Sequence, residues 1–175
     1  LAYVPSDRLH IGSSLKATVQ ENIIVGESGS FKKNGFLDQK RVTKHTNDLL
    51  QRYSAKATAQ MPIGTLSGGN IQKVILAREI ERYRDYIVFS EPTWGLDVAS
   101  SQFVYEQIAS LRDKGAAVIL ISSNLDEMLT IADRIIILYR GTRVASFSGD
   151  EARALSKEEI GEYMLGIRNQ GDRGA

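Results

Sequence analysis

The chain has 175 residues, 42% hydrophobic and 25% charged, with a formal net charge of +1 and no cysteine. That is one domain's worth of ordinary globular composition, which argues against disorder and excludes a disulfide framework or a thiolate zinc site. The interspersed charges give no electrostatic case for nucleic acid, and the longest apolar runs, 116–121 and 134–139, are too short to cross a bilayer and read as buried strands.

"LAYV" at 1–4 reads as a short strand ended by "PSDR". Thr18 and Glu21 in "TVQENIIV" are spaced as a capping box, so a helix is expected there. Gly26, Gly29 and Gly35 mark a loop. Residues 38–53 read as a polar helix with Val42, Leu49, Leu50 and Tyr53 on its buried side. Up to this point the pattern is helical with almost no β signal. From Ser67 onward the elements alternate. A helix over about 70–84 carries Ile71, Val74, Ile75 and Ile80. A strand at 85–90 follows, then a helix over about 99–114 stopped by Gly115, and a strand in "AAVILISS". Asn124 and Glu127 start a short helix, 134–147 reads as two strands joined at Arg140-Gly141, and Ser156 with Glu159 opens a terminal helix. Strand, helical crossover and strand imply a parallel sheet.

Two stretches carry chemistry. In "LSGGN" (66–70) two glycines stand at the start of a helix, where the first N–H groups lack intrahelical partners and the helix dipole is positive. That arrangement suits a phosphate, with the Ser67 hydroxyl as a further donor; the plainer alternative is a loop glycine pair with Ser67 as an N-cap. In "IVFSEPTWGLD" (87–97) Glu91 follows the end of a strand, where ligand sites of open α/β sheets lie. His10 and His45 are isolated and read as surface or loop residues. Trp94 is open between a solvent-facing role and contact with a partner. Phe103, Tyr105 and Phe147 read as packing, and Lys32-Lys33 as a solvated loop.

In this order, with one helix and one strand between them, "LSGGN" and "EPTWGLD" resemble the signature motif and the Walker B plus D-loop region of ATP-binding cassette transport ATPases. "YVPSDR" resembles the Q-loop region and "ILISSNLDEML" the switch region. "VPSDR", "LSGGN" and "PTWGLDVAS" together look like the second cassette of tandem-cassette importers for simple sugars or nucleosides, and "NGFLDQK" leans toward the nucleoside branch. The resemblance implies an α/β fold: a partial P-loop NTPase cassette, whose parallel-sheet lobe lacks its Walker A strand, plus an α-helical subdomain. The implied division is a Q-loop strand and loop at 1–9, and a helical subdomain with signature motif and helix at 10–84. The ATPase lobe with Walker B, D-loop and switch region follows at 85–150, then a C-terminal helix and tail at 151–175.

The phosphate loop G-x-x-x-x-G-K-[ST] is absent, since none of the 15 glycines precedes a lysine. In this family that loop precedes the Q-loop, and the chain opens on Leu1, so an upstream continuation is expected. Three further family positions are changed. Ser6 stands at the Q-loop glutamine, Ser90 at the Walker B aspartate and Ser123 at the switch histidine, while Glu91 keeps the position that polarises the attacking water. In paired cassettes of this family each ATP lies between one subunit's phosphate loop and the other's signature motif. The resemblance therefore implies that Leu66, Ser67, Gly68, Gly69 and Asn70 serve a partner's ATP in trans, with Asp97 signalling across the interface. ATP and Mg²⁺ belong to the complete assembly, with neither cofactor nor metal expected on this chain alone.

The implied partners are a first cassette, membrane permease subunits and, indirectly, an extracytoplasmic solute-binding protein. The implied place is the cytoplasmic face of the cell membrane. Without a Walker A strand the sheet edge is expected to self-associate or rearrange. A second reading is a non-hydrolysing structural or regulatory half, favoured by the three serines. A third, a soluble cassette acting on nucleic acid or ribosomes, is opposed by the charge balance and by "SSNLDEML".

Overall fold

The computed structural model describes residues 1–82 and 86–171, in two compact units, Leu1–Ile121 and Ser122–Ala175.

The first unit holds a three-stranded parallel sheet. Its strands are β1 (Ala2–Val4), β4 (Tyr86–Ser90) and β5 (Ala117–Ile121), in the order β1-β4-β5. Register pairs Ala2 with Ile87 and Val4 with Phe89, and carries Ile87 and Phe89 on to Val118 and Leu120. Helix α4 (Val98–Asp113) is the crossover between β4 and β5. It ends as expected at Gly115, whose left-handed φ of +85° lets Gly115 N–H reach Arg112 C=O and Ala116 N–H reach Leu111 C=O. Between β1 and β4 lie α1 (Val19–Ile24), α2 (Gln39–Arg52) and α3 (Gly68–Glu81). The expected capping box forms at α1, and Val42, Leu49, Leu50 and Tyr53 are the buried side of α2. Helix α3 packs on both α1 and β1, so Val74, Ile75, Leu76 and Ala77 are all sealed from water. The expected last turn of this helix and the strand start at Asp85 fall partly on residues 83–85, outside the described ones.

Two expectations change in this unit. The segment before Ser67 is not free of β structure: β2 (Lys32–Lys33) and β3 (Phe36–Leu37) form an antiparallel hairpin. Asn34 and Gly35 make its turn with φ of +51° and +85°, the left-handed pair that a two-residue hairpin needs. Nor is "AVILI" a buried strand. Ile119 and Ile121 are 58% and 53% exposed, as are Tyr3 and Tyr86 on the same side, while Ala2, Val4, Ile87 and Phe89 fill the covered side. β5 is the sheet's edge and one face of the sheet is bare. A run apolar on both faces is buried only where both faces are covered.

The second unit is an antiparallel hairpin, β6 (Arg134–Tyr139) and β7 (Thr142–Ser148), turning at Arg140-Gly141 as expected. It is accompanied by α5 (Leu125–Ile131), α6 (Gly149–Arg153) and α7 (Lys157–Met164). Ile135, Ile137, Phe147, Ile160 and Tyr163 form its core. The apolar run of β6 is buried on alternate residues only, with Ile136 and Leu138 exposed. Helix α6, absent from the sequence expectation, starts on a Ser148–Glu151 capping box.

Candidate functional site

The signature segment becomes a helix tip through local chemistry. A 3-10 turn at Ile63–Thr65 delivers Leu66, and Ser67 takes extended geometry (φ −64°, ψ 154°) as the N-cap of α3. Ser67 Oγ accepts the Asn70 N–H at 3.4 Å and Asn70 Nδ2–H at 2.9 Å, while Asn70 Oδ1 accepts the Lys56 N–H at 2.8 Å. The N-cap role of Ser67 is thus realised, and its lone pairs are occupied. The hydroxyl proton stays available to donate outward from an exposed residue. The helix ladder begins with Ile71 N–H on Ser67 C=O. The N–H groups of Gly68 and Gly69 precede that ladder and have no intrahelical acceptor.

The two glycines are held by different neighbours. A Cβ on Gly69 would stand 2.4 Å from Ser100 Oγ and 3.7 Å from Asp97 Oδ2, so the helix tip lies against the first turn of α4 with no space for a methyl group. A Cβ on Gly68 would meet only Arg8, at 3.6 Å from Nε, an ordinary contact. The chain's own packing explains Gly69 and leaves Gly68 unexplained. Asp97 is the N-cap of α4, with one oxygen accepting the Ser100 N–H at 2.8 Å and the other the Ser100 hydroxyl at 2.9 Å. Those bonds, the backbone one first, hold its carboxyl below the usual range.

Beside this tip lies a cleft of ≈ 570 Å³ lined by Ser6, Asp7, Arg8, Leu9, Glu91 and Trp94. Glu91 follows the last residue of β4, half-buried Ser90, and its N–H bonds Ile121 C=O at 2.8 Å. Its φ of +43° puts a non-glycine residue in the left-handed region. Such strain persists where surrounding structure over-determines it, commonly at functional sites. The chain then turns through Trp94 N–H on Glu91 C=O and Leu96 N–H on Thr93 C=O, with Gly95 at φ +65°. Trp94 is 68% exposed on this turn.

Of the expected site residues, Ser6 and Glu91 therefore share one cleft, and Ser67–Asn70 and Asp97 share one contact cluster. Ser90 sits at the strand end between them in sequence. Ser123 belongs to the second unit, where it is exposed between β5 and the Asn124-capped start of α5. His10 bonds Asp7 on the surface, as expected, whereas His45 is neither a surface nor a loop residue: it is half-buried on α2 and its ring meets Phe31 in a tilted contact at 5.0 Å. Arg8 and Ser100 were not among the expected residues. "VPSDR" contains Arg8, but nothing in its spacing announces a reach to Gly95, 87 residues on, where Nη2 approaches the carbonyl at 3.4 Å. A Mg²⁺ ion is usually held by one or two carboxylates together with substrate phosphates and water. Glu91 with Ser90 offers a single carboxylate, and the described residues contain no group of three or more acidic, His or Cys side chains suited to a metal. Without a nucleotide these residues do not compose a Mg²⁺ site.

No protein-family model matches the chain. It is 36% identical over 169 residues to the nucleoside import ATP-binding protein NupA of Lactococcus lactis, covering 95% of this chain and 33% of that one. It is 34% identical over 152 residues to the ribose import ATP-binding protein RbsA 1 of Rhizobium johnstonii, covering 86% and 30%. The chain thus spans about a third of the length of the curated relatives it matches. Among solved structures it superposes on the ATP-binding cassette MJ0796, a dimer in a post-hydrolysis state bound to ADP and Pi. The TM-score is 0.68 at 21% identity, over 84% of this chain and 62% of that one. It superposes likewise on MJ1267, an ATP-binding cassette of an ABC transporter, with TM-score 0.71 at 21% identity, over 93% and 68%. The partial α/β cassette fold and the motif-bearing sequence thus agree: the chain belongs to the ATP-binding cassette family.

Proposed function

We propose that this chain is part of the ATP-binding subunit of an importer for a simple sugar or nucleoside, and that it supplies the signature helix tip to an ATP held by a partner cassette. The observation that carries the reading is the tip of α3. Ser67 is exposed with its hydroxyl proton unspent, two amides lack intrahelical acceptors, and Gly68 is bare for no reason internal to the chain. A phosphoryl group docking there gains charge-assisted hydrogen bonds of roughly 1.5–3 kcal/mol each. In this reading Leu66 and Asn70 hold the tip, and Asp97 stands beside it as the residue that couples the two cassettes.

The chain's own nucleotide site is degenerate. Glu91 is positioned to polarise a water, but a general base acts only beside a fixed substrate, and Ser6, Ser90 and Ser123 supply neither carboxylate nor imidazole. Alone, the chain does not hydrolyse ATP. The three serines favour a second reading, a non-hydrolysing half that only completes the partner's site. ATP and Mg²⁺ enter with the assembled cassettes. The assembly sits on the cytoplasmic face of the membrane through permease subunits; no helix among the described residues is long and apolar enough to cross it.

The test is a graft in which this chain replaces the homologous 169-residue segment of the Lactococcus lactis relative. Ser67→Ala and Gly68→Ala are expected to lower ATP turnover by tenfold or more, about the loss of one charge-assisted contact. Glu91→Gln is expected to leave most turnover intact. Silent Ser67 and Gly68 variants, with turnover lost in Glu91→Gln, would reverse the assignment.

A further inference from the structure

We propose that Arg8 is a positioning residue of the signature site, a guanidinium strut that holds the 93–97 turn against the tip of α3. The inference rests on the trans-signature reading above and names a residue that the reading does not use. Arg8 lies between two glycines, Gly95 of the turn and Gly68 at the start of α3. Its Nη2 donates to Gly95 C=O at 3.4 Å, and it stands 3.1 Å from where a Gly95 Cβ would be. Its Nε stands 3.6 Å from the corresponding point on Gly68.

The stem of this strut is fixed. Asp7 accepts the Leu9 and His10 N–H groups at 3.1 and 3.0 Å through its side chain, and the Ile11 and Gly12 N–H groups through its carbonyl. Ser13 Oγ donates to Arg8 C=O at 2.7 Å, and a Gly12 Cβ would lie 2.9 Å from Arg8 Cα. The planar guanidinium donates to the Gly95 carbonyl, while the tip of α3, which presents N–H donors of its own, meets it by packing alone.

The helix tip is therefore packed tightly on one side and loosely on the other. Ser100 and Asp97 abut Gly69, and Arg8 stands at ordinary contact distance from Gly68. The Ser100 contact sets the tip against the start of α4, and Arg8 fills the space between the tip and the preceding turn, whose Gly95 carbonyl it bonds. Misplacing a contact group by about 1 Å can cost 10²-fold in rate, so the strut's effect falls on turnover rather than on nucleotide affinity, which the partner's phosphate loop sets.

In the graft described above, Arg8→Gln is expected to lower kcat about tenfold, with the KM for ATP within twofold and the thermal midpoint unchanged. Arg8→Lys, which keeps the charge and loses the fork, is expected to stay within about threefold of Arg8→Gln. Full turnover in Arg8→Gln while Ser67→Ala is impaired would overturn the strut and leave the signature reading standing. A loss of kcat matched by a fall in midpoint, or by a rise in KM, would also overturn it, marking Arg8 as a folding or binding residue. If Ser67→Ala and Gly68→Ala are silent in the same graft, the signature reading falls first and the strut with it.

Discussion

Gly69→Ala is the most direct probe of how the helix tip is built. The added methyl would lie 2.4 Å from Ser100 Oγ and 3.3 Å from Ser100 Cβ, so the Ser100 hydroxyl must leave the place where it donates to Asp97 Oδ2. Overpacking of this kind costs roughly 1–3 kcal/mol, and alanine returns up to about 1 kcal/mol of helix propensity. The net expectation is a destabilisation of about 1 kcal/mol, some 2–4 °C in midpoint for a chain of this length. In a Ser100→Ala background the hydroxyl is gone and only the 3.3 Å contact remains, so the same change becomes neutral or slightly stabilising. The four members of this cycle can be compared by urea unfolding, followed through Trp94, the single tryptophan, on the turn leading to α4. A coupling of about 1 kcal/mol or more is predicted. Additivity within about 0.5 kcal/mol would show that Gly69 and Ser100 do not meet and would refute the packing described for the tip.

Other variants test neighbouring features. Glu91 at φ +43° carries a left-handed cost of roughly 1–2 kcal/mol, offset in part by the entropy of a glycine. Glu91→Gly is therefore expected to exceed Glu91→Ala in stability by about 1 kcal/mol in chemical denaturation, and equal stabilities would remove the strain. Asp97, Glu21, Glu151 and Glu159 are held below their ordinary values of 3.8 and 4.5, chiefly by backbone hydrogen bonds at helix starts. Depressed carboxyls contribute stability above those values and lose it as pH falls through the lowered ones. Unfolding midpoints are thus expected to be level from pH 7 to 5 and to drop below about pH 4, with a shallower drop in Glu159→Gln, which removes one of these titrating groups. The uncharged β5 edge and the bare face bearing Ile119 and Ile121 are expected to drive self-association. Light scattering on Ile119→Lys should show a smaller species than the parent, and a parent monodisperse as monomer at high concentration would refute this.

What the sequence made legible was local. Capping boxes at Thr18–Glu21 and Ser156–Glu159, the Gly115 stop and the buried side of α2 all follow from residues within a few positions of one another, and all form. The Asn34-Gly35 hairpin was equally local, but its strands are two residues long and show no alternation to read. The exposure of β5 was hidden because hydropathy records what a strand can bury, not whether a covering layer is present. The signature tip was visible as a pattern, whereas the neighbours of its two glycines were not. Gly69 is required by Ser100, and Gly68 faces Arg8 with room to spare, contacts that only the fold creates. The left-handed Glu91 was equally hidden, since no glycine announces it.

The central claim is that the helix tip at Ser67–Asn70 meets the terminal phosphate of an ATP held elsewhere. It is tested most directly by photolabelling with an ATP analogue whose reactive group sits on the γ-phosphate. Mixed with a phosphate-loop-bearing cassette of the same family, the chain should be labelled in the peptide spanning residues 66–73, and alone it should take no label. Equal labelling of the isolated chain, or label confined to the partner cassette, would contradict the account.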